Sequence, residues 1–232
     1  NEVIESLATH FGIVSQYKPV REIDSPYWRT DSFRIFLSHI SAYKDLTAQI
    51  QQSLDRFGVS SFVAHVDIEP TKEWQNEIEI ALFSCDTLVA LMTPNFHDSR
   101  WTDQEIGIAI GRGILIVPVR LGMDPYGFIG KYQGLQGANK NSYQIALEIV
   151  KIILKNKQSQ KKMVSALVNK FTEASGFQEA KDLIALIEKV ELLDDILIEK
   201  MKKACTDNPQ VKYAFGVPEK IEILAGKLKN IE

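Results

Sequence analysis

The feature that most constrains the fold of this chain is an alternation of short apolar runs with longer amphipathic stretches, which begins at Phe33. The apolar runs have the length of buried strands, and the amphipathic stretches carry apolar side chains at helical spacing. Strands and helices that alternate through short connections are typical of a parallel sheet covered on both faces. The pattern therefore predicts an α/β domain over residues 31–156 with four to five parallel strands.

The individual elements follow from the same pattern. Strands are expected at residues 33–37, 61–66, 86–93 and 114–119, with a short fifth strand around residues 132–135. Helices are expected at residues 43–57, 73–83 and 142–155, and Ser99 is a suitable N-cap for a further helix. Right-handed crossovers then bring the carboxyl ends of the strands to one edge of the sheet, where ligands of such sheets bind.

Three further segments flank the predicted domain. Residues 1–30 are expected to be an N-terminal extension that packs onto the domain through aromatic side chains. Residues 157–162 belong to a lysine-rich stretch that is predicted to be a solvated linker. Residues 163–232 show helical spacing without strand-like alternation, which predicts an all-helical module for packing or oligomerisation.

Composition and motifs exclude several classes of protein. A net charge of -3 gives no concentrated basic surface for nucleic acid, and no apolar run reaches the length of a membrane span. Cys85 and Cys205 lie far apart, which suits a reducing cytoplasm rather than a disulfide framework. The histidines lack metal-ligand spacing, so no metal is expected. No P-loop, dinucleotide fingerprint or nucleophile elbow occurs.

Polar residues after three predicted strands are expected to meet at the carboxyl edge of the sheet. Ser38 and His39 follow the first strand, residues 67–74 follow the second, and residues 94–105 follow the third. This convergence favours a ligand site at that edge.

Trp101 and Glu105 are spaced four residues apart, on one face of the predicted helix. A carboxylate held over a ligand can bind ribose hydroxyls and stabilise an oxocarbenium ion, and Trp101 and Trp74 can stack on a flat ring. A plainer interpretation makes Glu105 a surface carboxylate favoured by the helix dipole and makes both tryptophans core residues. The residues alone leave both interpretations open.

Five segments, in order, resemble the TIR (Toll/interleukin-1 receptor) domain. They are Phe36-Leu37-Ser38-His39-Ile40-Ser41, the loop 67–74, residues 78–84 with 88–96, the S-x-W-x-x-x-E stretch from Ser99 to Glu105, and Ile116-Val117-Pro118-Val119. The resemblance covers the predicted α/β domain and implies a flavodoxin-like fold.

Many TIR domains cleave NAD+ at the nicotinamide-ribose bond, and the resemblance implies the same activity here. It places the catalytic glutamate on Glu105, and the substrate-binding residues on Ser38, His39, Asp67, Trp74 and Trp101. NAD+ would be the substrate rather than a cofactor. The product would be ADP-ribose or a cyclic ADP-ribose isomer.

The resemblance also implies partners and a setting. Catalytic TIR domains commonly self-associate, and the C-terminal helices are expected to assist. A protein of the bacterial type would act in the cytoplasm in antiphage defence, with a separate effector protein as a further partner. Two other functions remain open: a non-catalytic adaptor module that binds other TIR domains, and a binder of a nucleotide signal made by another enzyme.

Overall fold

The sheet of the domain is parallel and has five strands in the order β2-β1-β3-β4-β5. This arrangement is seen in a computed structural model that describes residues 27–63, 74–190 and 193–229. The strands are β1 (Phe33–Ser38), β2 (Val59–Phe62), β3 (Thr87–Met92), β4 (Leu115–Arg120) and β5 (Leu135–Gln136). The predicted α/β class is confirmed, and the strand order reverses its direction between β1 and β3.

Four helices cover the two faces of this sheet. They are α1 (Lys44–Asp55), α2 (Trp74–Ser84), α3 (Thr102–Arg112) and α4 (Ser142–Lys155). The apolar side chains of α1 and α4 share one hydrophobic cluster with Ile35 and Leu37, and those of α2 and α3 share a second cluster with Phe36. Since side chains alternate along a strand, Ser38 lies on the Phe36 face of β1, toward α2 and α3.

The C-terminal part of the chain is helical, as predicted. Its helices are α5 (Gln160–Thr172), α6 (Phe177–Ile187), α7 (Asp195–Asp207), α8 (Pro209–Lys212) and α9 (Val217–Lys229). Leu167 and Phe171 of α5 are fully buried in the cluster that holds α1 and α4. The C-terminal helices therefore extend the core on the face of the sheet away from α2 and α3.

Several predicted boundaries differ from the structure. Residues 160–162 were expected in a linker, but they form the first turn of α5, because Met163 and the following apolar residues dock that helix directly on the core. β2 starts at Val59 rather than Ser61, and residues 64–66 of the predicted strand lie outside the described residues.

Of the predicted N-terminal extension, the structure describes Tyr27 onward. Trp28 is buried in the hydrophobic cluster that contains Phe36, and its indole Nε1 donates a hydrogen bond to the Ser84 hydroxyl at 2.8 Å. Among the described residues, none of the helices combines the length and the apolar character that crossing a bilayer requires.

Gly58 lies where the α/β domain meets the C-terminal helices. Its φ of +74° is a conformation that other residues adopt only with strain, and it lets β2 begin immediately after α1. A Cβ atom at this position would lie 2.4 Å from the carbonyl oxygen of Ala166 in α5. The close approach of α5 therefore depends on glycine.

Gly58→Ala should destabilise the protein by about 1–3 kcal/mol, because it adds backbone strain and forces α5 away from the domain. Gly226→Ala is the matched control, since no atom lies within 4 Å of the added Cβ in α9. The control should leave stability unchanged or raise it by about 0.5–1 kcal/mol. Urea unfolding of the two variants measures both effects, and equal effects would contradict the docking of α5 at Gly58.

Candidate active site

Glu105 lies in the first turn of α3, and local hydrogen bonds fix that turn. The buried Thr102 hydroxyl donates to the Phe96 carbonyl oxygen at 2.8 Å, which ties the helix start to the preceding loop. The prediction that Ser99 caps this helix is wrong: Trp101 occupies the N-cap position without a capping side chain. The helix begins at Thr102, so Ser99 lies before the N-cap residue and outside the first turn. The Ser99 hydroxyl instead accepts a 3.3 Å hydrogen bond from the Trp101 amide.

The Glu105 carboxylate is held by the end of β1, the strand next to the central strand β3. The hydroxyl of Ser38, the last residue of β1, donates a hydrogen bond to Glu105 Oε2 at 2.5 Å. Glu105 is 6% exposed and Ser38 is fully buried. The interpretation of Glu105 as an ordinary surface carboxylate is therefore wrong, since the side chain turns inward toward the sheet.

Burial shifts the ionisation of Glu105. Removal of the carboxyl from water raises its pKa to about 7, and the hydrogen bond from Ser38 opposes that rise because it stabilises the charged form. A carboxylate with such a pKa changes its charge near neutral pH. Groups with strongly shifted pKa values, placed beside a groove, are typical of functional sites.

A groove of about 290 Å³ opens beside Glu105, between α2 and α3. Trp101 is 37% exposed at this groove, so its ring is accessible. The structure thus brings together Trp101 and Glu105, the pair that helical spacing placed on one face. The lining side chains are Ile78, Glu79, Leu82 and Phe83 of α2, and Trp101, Gln104, Glu105 and Ile108 at the start of α3.

The remaining predicted site residues lie elsewhere or outside the described residues. Neither Ser38 nor His39 lines the groove; His39 is 8% exposed, and its Nδ1 lies 3.0 Å from the Leu37 carbonyl oxygen. Asp67 lies outside the described residues, and so does the side chain of Trp74, whose backbone begins α2. The roles assigned to these residues stay predictions.

Two contacts fix the helices that form the groove. The Tyr126 hydroxyl donates to Asp103 Oδ1 at 2.5 Å, which ties the loop after β4 to the first turn of α3. At the other end of α3, the Arg112 guanidinium donates to the carbonyl oxygens of Leu82 and, at 2.9 Å, of Cys85. The guanidinium thereby satisfies carbonyl groups at the end of α2 and joins the two helices.

Sequence reasoning named Ser38 but missed its hydrogen bond to Glu105, and it missed the apolar walls of the groove. Ile78, Leu82 and Ile108 follow the ordinary helical pattern of buried residues, so nothing distinguishes a groove wall from core. The bond between Ser38 and Glu105 joins residues 67 positions apart. Only the pairing of β1 with β3 and the docking of α3 bring them together.

Within residues 27–63, 74–190 and 193–229, no group of three or more histidine, cysteine or acidic residues is arranged to hold a metal ion. The fold and the site together define a flavodoxin-like α/β protein with a buried carboxylate at the carboxyl edge of its sheet.

The family follows from sequence comparison. The profile of the TIR domain family matches residues 35–150, which is half of the chain, and the chain belongs to this family. No curated protein sequence matches it. Among solved structures, it is similar to the TIR domain of the Toll-related receptor TRR-2 from Hydra magnipapillata, with 16% identity and a TM-score of 0.44. That match covers 53% of this chain and 98% of the receptor domain.

The raised pKa of Glu105 makes stability depend on pH. A carboxyl whose pKa is about 7 when folded and near 4.5 when unfolded holds its proton more tightly in the folded state. The contribution of this carboxyl to folding stability is therefore fully present below pH 4.5 and is lost as pH rises through 7. Relative to Glu105→Gln, the wild type should lose on the order of 3 kcal/mol of unfolding free energy between pH 4.5 and pH 8.

Urea unfolding of both chains at several pH values measures this difference. Glu105→Gln serves as the reference because it keeps the shape of the side chain and removes its titration. A difference between the two chains that stays constant from pH 5 to pH 8 would contradict the assigned environment.

Proposed function

We propose that this protein cleaves NAD+ at the bond between nicotinamide and ribose. The observation that carries the proposal is the carboxylate of Glu105, which is buried, bonded to Ser38 and placed at a groove beside the accessible ring of Trp101. The family membership supports the proposal, because TIR domains include enzymes that act on NAD+. Glu105 is the proposed catalytic residue.

The reaction needs a negative charge close to the anomeric carbon. The C–N bond breaks, and its electron pair leaves with the ring nitrogen, so nicotinamide departs as a neutral molecule. The ribose develops oxocarbenium character, which the ionised Glu105 stabilises while it accepts hydrogen bonds from ribose hydroxyls. Burial strengthens this stabilisation, because little water screens the charge.

Two products are compatible with this step. Attack of water at the anomeric carbon, with loss of one proton to solvent, gives ADP-ribose. Attack by a nucleophilic atom of the bound nucleotide itself gives a cyclic ADP-ribose isomer, and a hydroxyl nucleophile likewise loses its proton to solvent. Both routes share the departure of nicotinamide, which makes nicotinamide release the common assay.

The size of the groove bears on how NAD+ is held. A volume of about 290 Å³ lies just below the range for sites that enclose drug-sized ligands, and a dinucleotide needs more room. The groove suits the nicotinamide and its ribose, with Trp101 as the stacking surface. We propose that a second TIR domain contributes to the rest of the site, because TIR domains commonly self-associate, and that the C-terminal helices assist this assembly.

We further propose that the activity belongs to antiviral immune signalling in a bacterial cytoplasm, either by depletion of NAD+ or through a nucleotide product that a separate effector protein senses. His39, Asp67 and Trp74 are proposed to contact the nucleotide in addition to Trp101.

Glu105→Gln should reduce kcat for nicotinamide release by about 100-fold or more, because the neutral amide cannot stabilise the developing positive charge. Purified protein at high concentration, incubated with NAD+ and analysed by chromatography, measures both the rate and the product. Glu199→Gln, on the exposed surface of α7, is the control for the loss of one carboxylate and should match the wild type.

The outcomes separate the candidate functions. Release by Glu105→Gln at the wild-type rate would refute the catalytic role of Glu105. A wild type that releases no nicotinamide, even with a crowding agent, would refute the enzymatic function and leave the adaptor or nucleotide-binding function.

Trp101→Ala should raise KM for NAD+ by roughly 5- to 100-fold, because one stacking contact between an aromatic ring and a base is lost. Trp101→Phe should recover much of the affinity, since it retains an aromatic face. Initial rates over a range of NAD+ concentrations give KM for each variant. An unchanged KM in Trp101→Ala would show that the nicotinamide does not stack on this ring.

A further inference from the structure

The position of Ser38 differs from the position expected of a residue that contacts a substrate. It ends β1, it is fully buried, and it does not line the groove. Its backbone pairs with Ala90 of β3 near the centre of the sheet, so the residue has little freedom to move toward a ligand. The hydroxyl has one proton to donate, and that proton is used in the bond to Glu105 Oε2.

The bond has a directional consequence for the carboxylate. A glutamate side chain has three rotatable bonds, and a single hydrogen bond from a rigid strand selects one arrangement of them. Oε2 is committed to Ser38 at 2.5 Å. Oε1 is therefore the oxygen that remains to face a ribose in the groove, since Glu105 is among the residues that line it.

We infer that Ser38 is a positioning residue for the proposed NAD+ cleavage: its hydroxyl holds the ionised Glu105 carboxylate with Oε1 turned toward the groove and makes no contact with the nucleotide. This inference rests on the proposed function. It replaces direct nucleotide binding as the role of Ser38.

The electrostatic surroundings agree with this role. The hydroxyl of Ser38 favours the charged form of Glu105 and works against burial, which raises the pKa of that carboxyl. Other titratable side chains around the site are Glu79, which lines the groove from α2, His39, which follows Ser38, and Asp103, which is bonded to Tyr126. Ser38 is the residue whose hydrogen bond to the Glu105 carboxylate stabilises the charge.

The first test compares Ser38→Ala with wild type in nicotinamide release from NAD+ between pH 5.5 and pH 9. We expect kcat at pH 7 to fall roughly tenfold, with KM within about twofold, because a hydrogen bond to a charged group is lost while the nucleotide contacts remain. We also expect the acid limb of the kcat profile to move upward by about one pH unit. Activity at high pH should recover partly, since the carboxylate is then ionised without the hydroxyl.

Ser61→Ala is the matched control. It removes a hydroxyl of the same kind from the neighbouring strand β2, where Ser61 is 8% exposed and its Oγ has no hydrogen-bond partner among the described residues. It should leave kcat, KM and the acid limb within about twofold of wild type. If Ser38→Ala does not fold by circular dichroism, Ser38→Cys replaces it, because the thiol has a similar shape and is a weaker donor.

Two results would overturn the inference. A tenfold rise in KM with kcat retained would show that the hydroxyl binds the nucleotide directly. A Ser38 variant that behaves like Ser61→Ala would show that the hydroxyl only satisfies its own burial.

A second measurement does not depend on turnover. In protein labelled with ¹³C at the glutamate carboxyl, the Glu105 signal is assigned by its loss in Glu105→Gln and then titrated by NMR. Its midpoint should move to higher pH in Ser38→Ala, and an unchanged midpoint would overturn the positioning role. If the midpoint moves in Ser38→Ala but the wild type releases no nicotinamide, the proposed function is refuted and the contact between Ser38 and Glu105 is established.

Discussion

Burial of the central strands on both faces restricts where polar groups of this protein can lie. Leu88, Val89 and Leu91 of β3 are fully buried, because helices cover the sheet on each side. A polar side chain buried on these faces loses water, and that loss is costly unless a hydrogen-bond partner replaces the water. Ser38 ends β1 at the carboxyl edge of the sheet, where its hydroxyl has such a partner in Glu105, in the first turn of α3.

The same burial gives the Glu105 carboxylate its chemical character. A charged group removed from water is costly unless a donor stabilises it, and the Ser38 hydroxyl is that donor. The pKa of about 7 reflects the balance between these opposing effects. In a site of this kind, a fixed charge acts on a developing positive charge without waiting for solvent to reorganise. Folding stability and the proposed catalysis therefore make opposite demands on the Glu105 side chain.

The fold was largely predictable from sequence, because alternation of short apolar runs with amphipathic helices leaves few other arrangements. Boundaries were less predictable where tertiary contacts decide them, as at residues 160–162, which became helical by docking on the core. The pairing of Trp101 with Glu105 on one groove followed from helical spacing. The burial of Glu105 did not, because nothing in the spacing of α3 reveals that Ser38 lies within hydrogen-bond distance.

The contact of Arg112 with the end of α2 anchors one end of the helix that carries Glu105. The guanidinium joins the C-terminal ends of α2 and α3 through the carbonyl oxygens of Leu82 and Cys85. Trp101 and Glu105 lie at the opposite end of α3. The first turn of α3 is held as well, since Asp103 is bonded to Tyr126 and Glu105 is bonded to Ser38. The helix that carries Glu105 is therefore anchored to the rest of the domain at both of its ends.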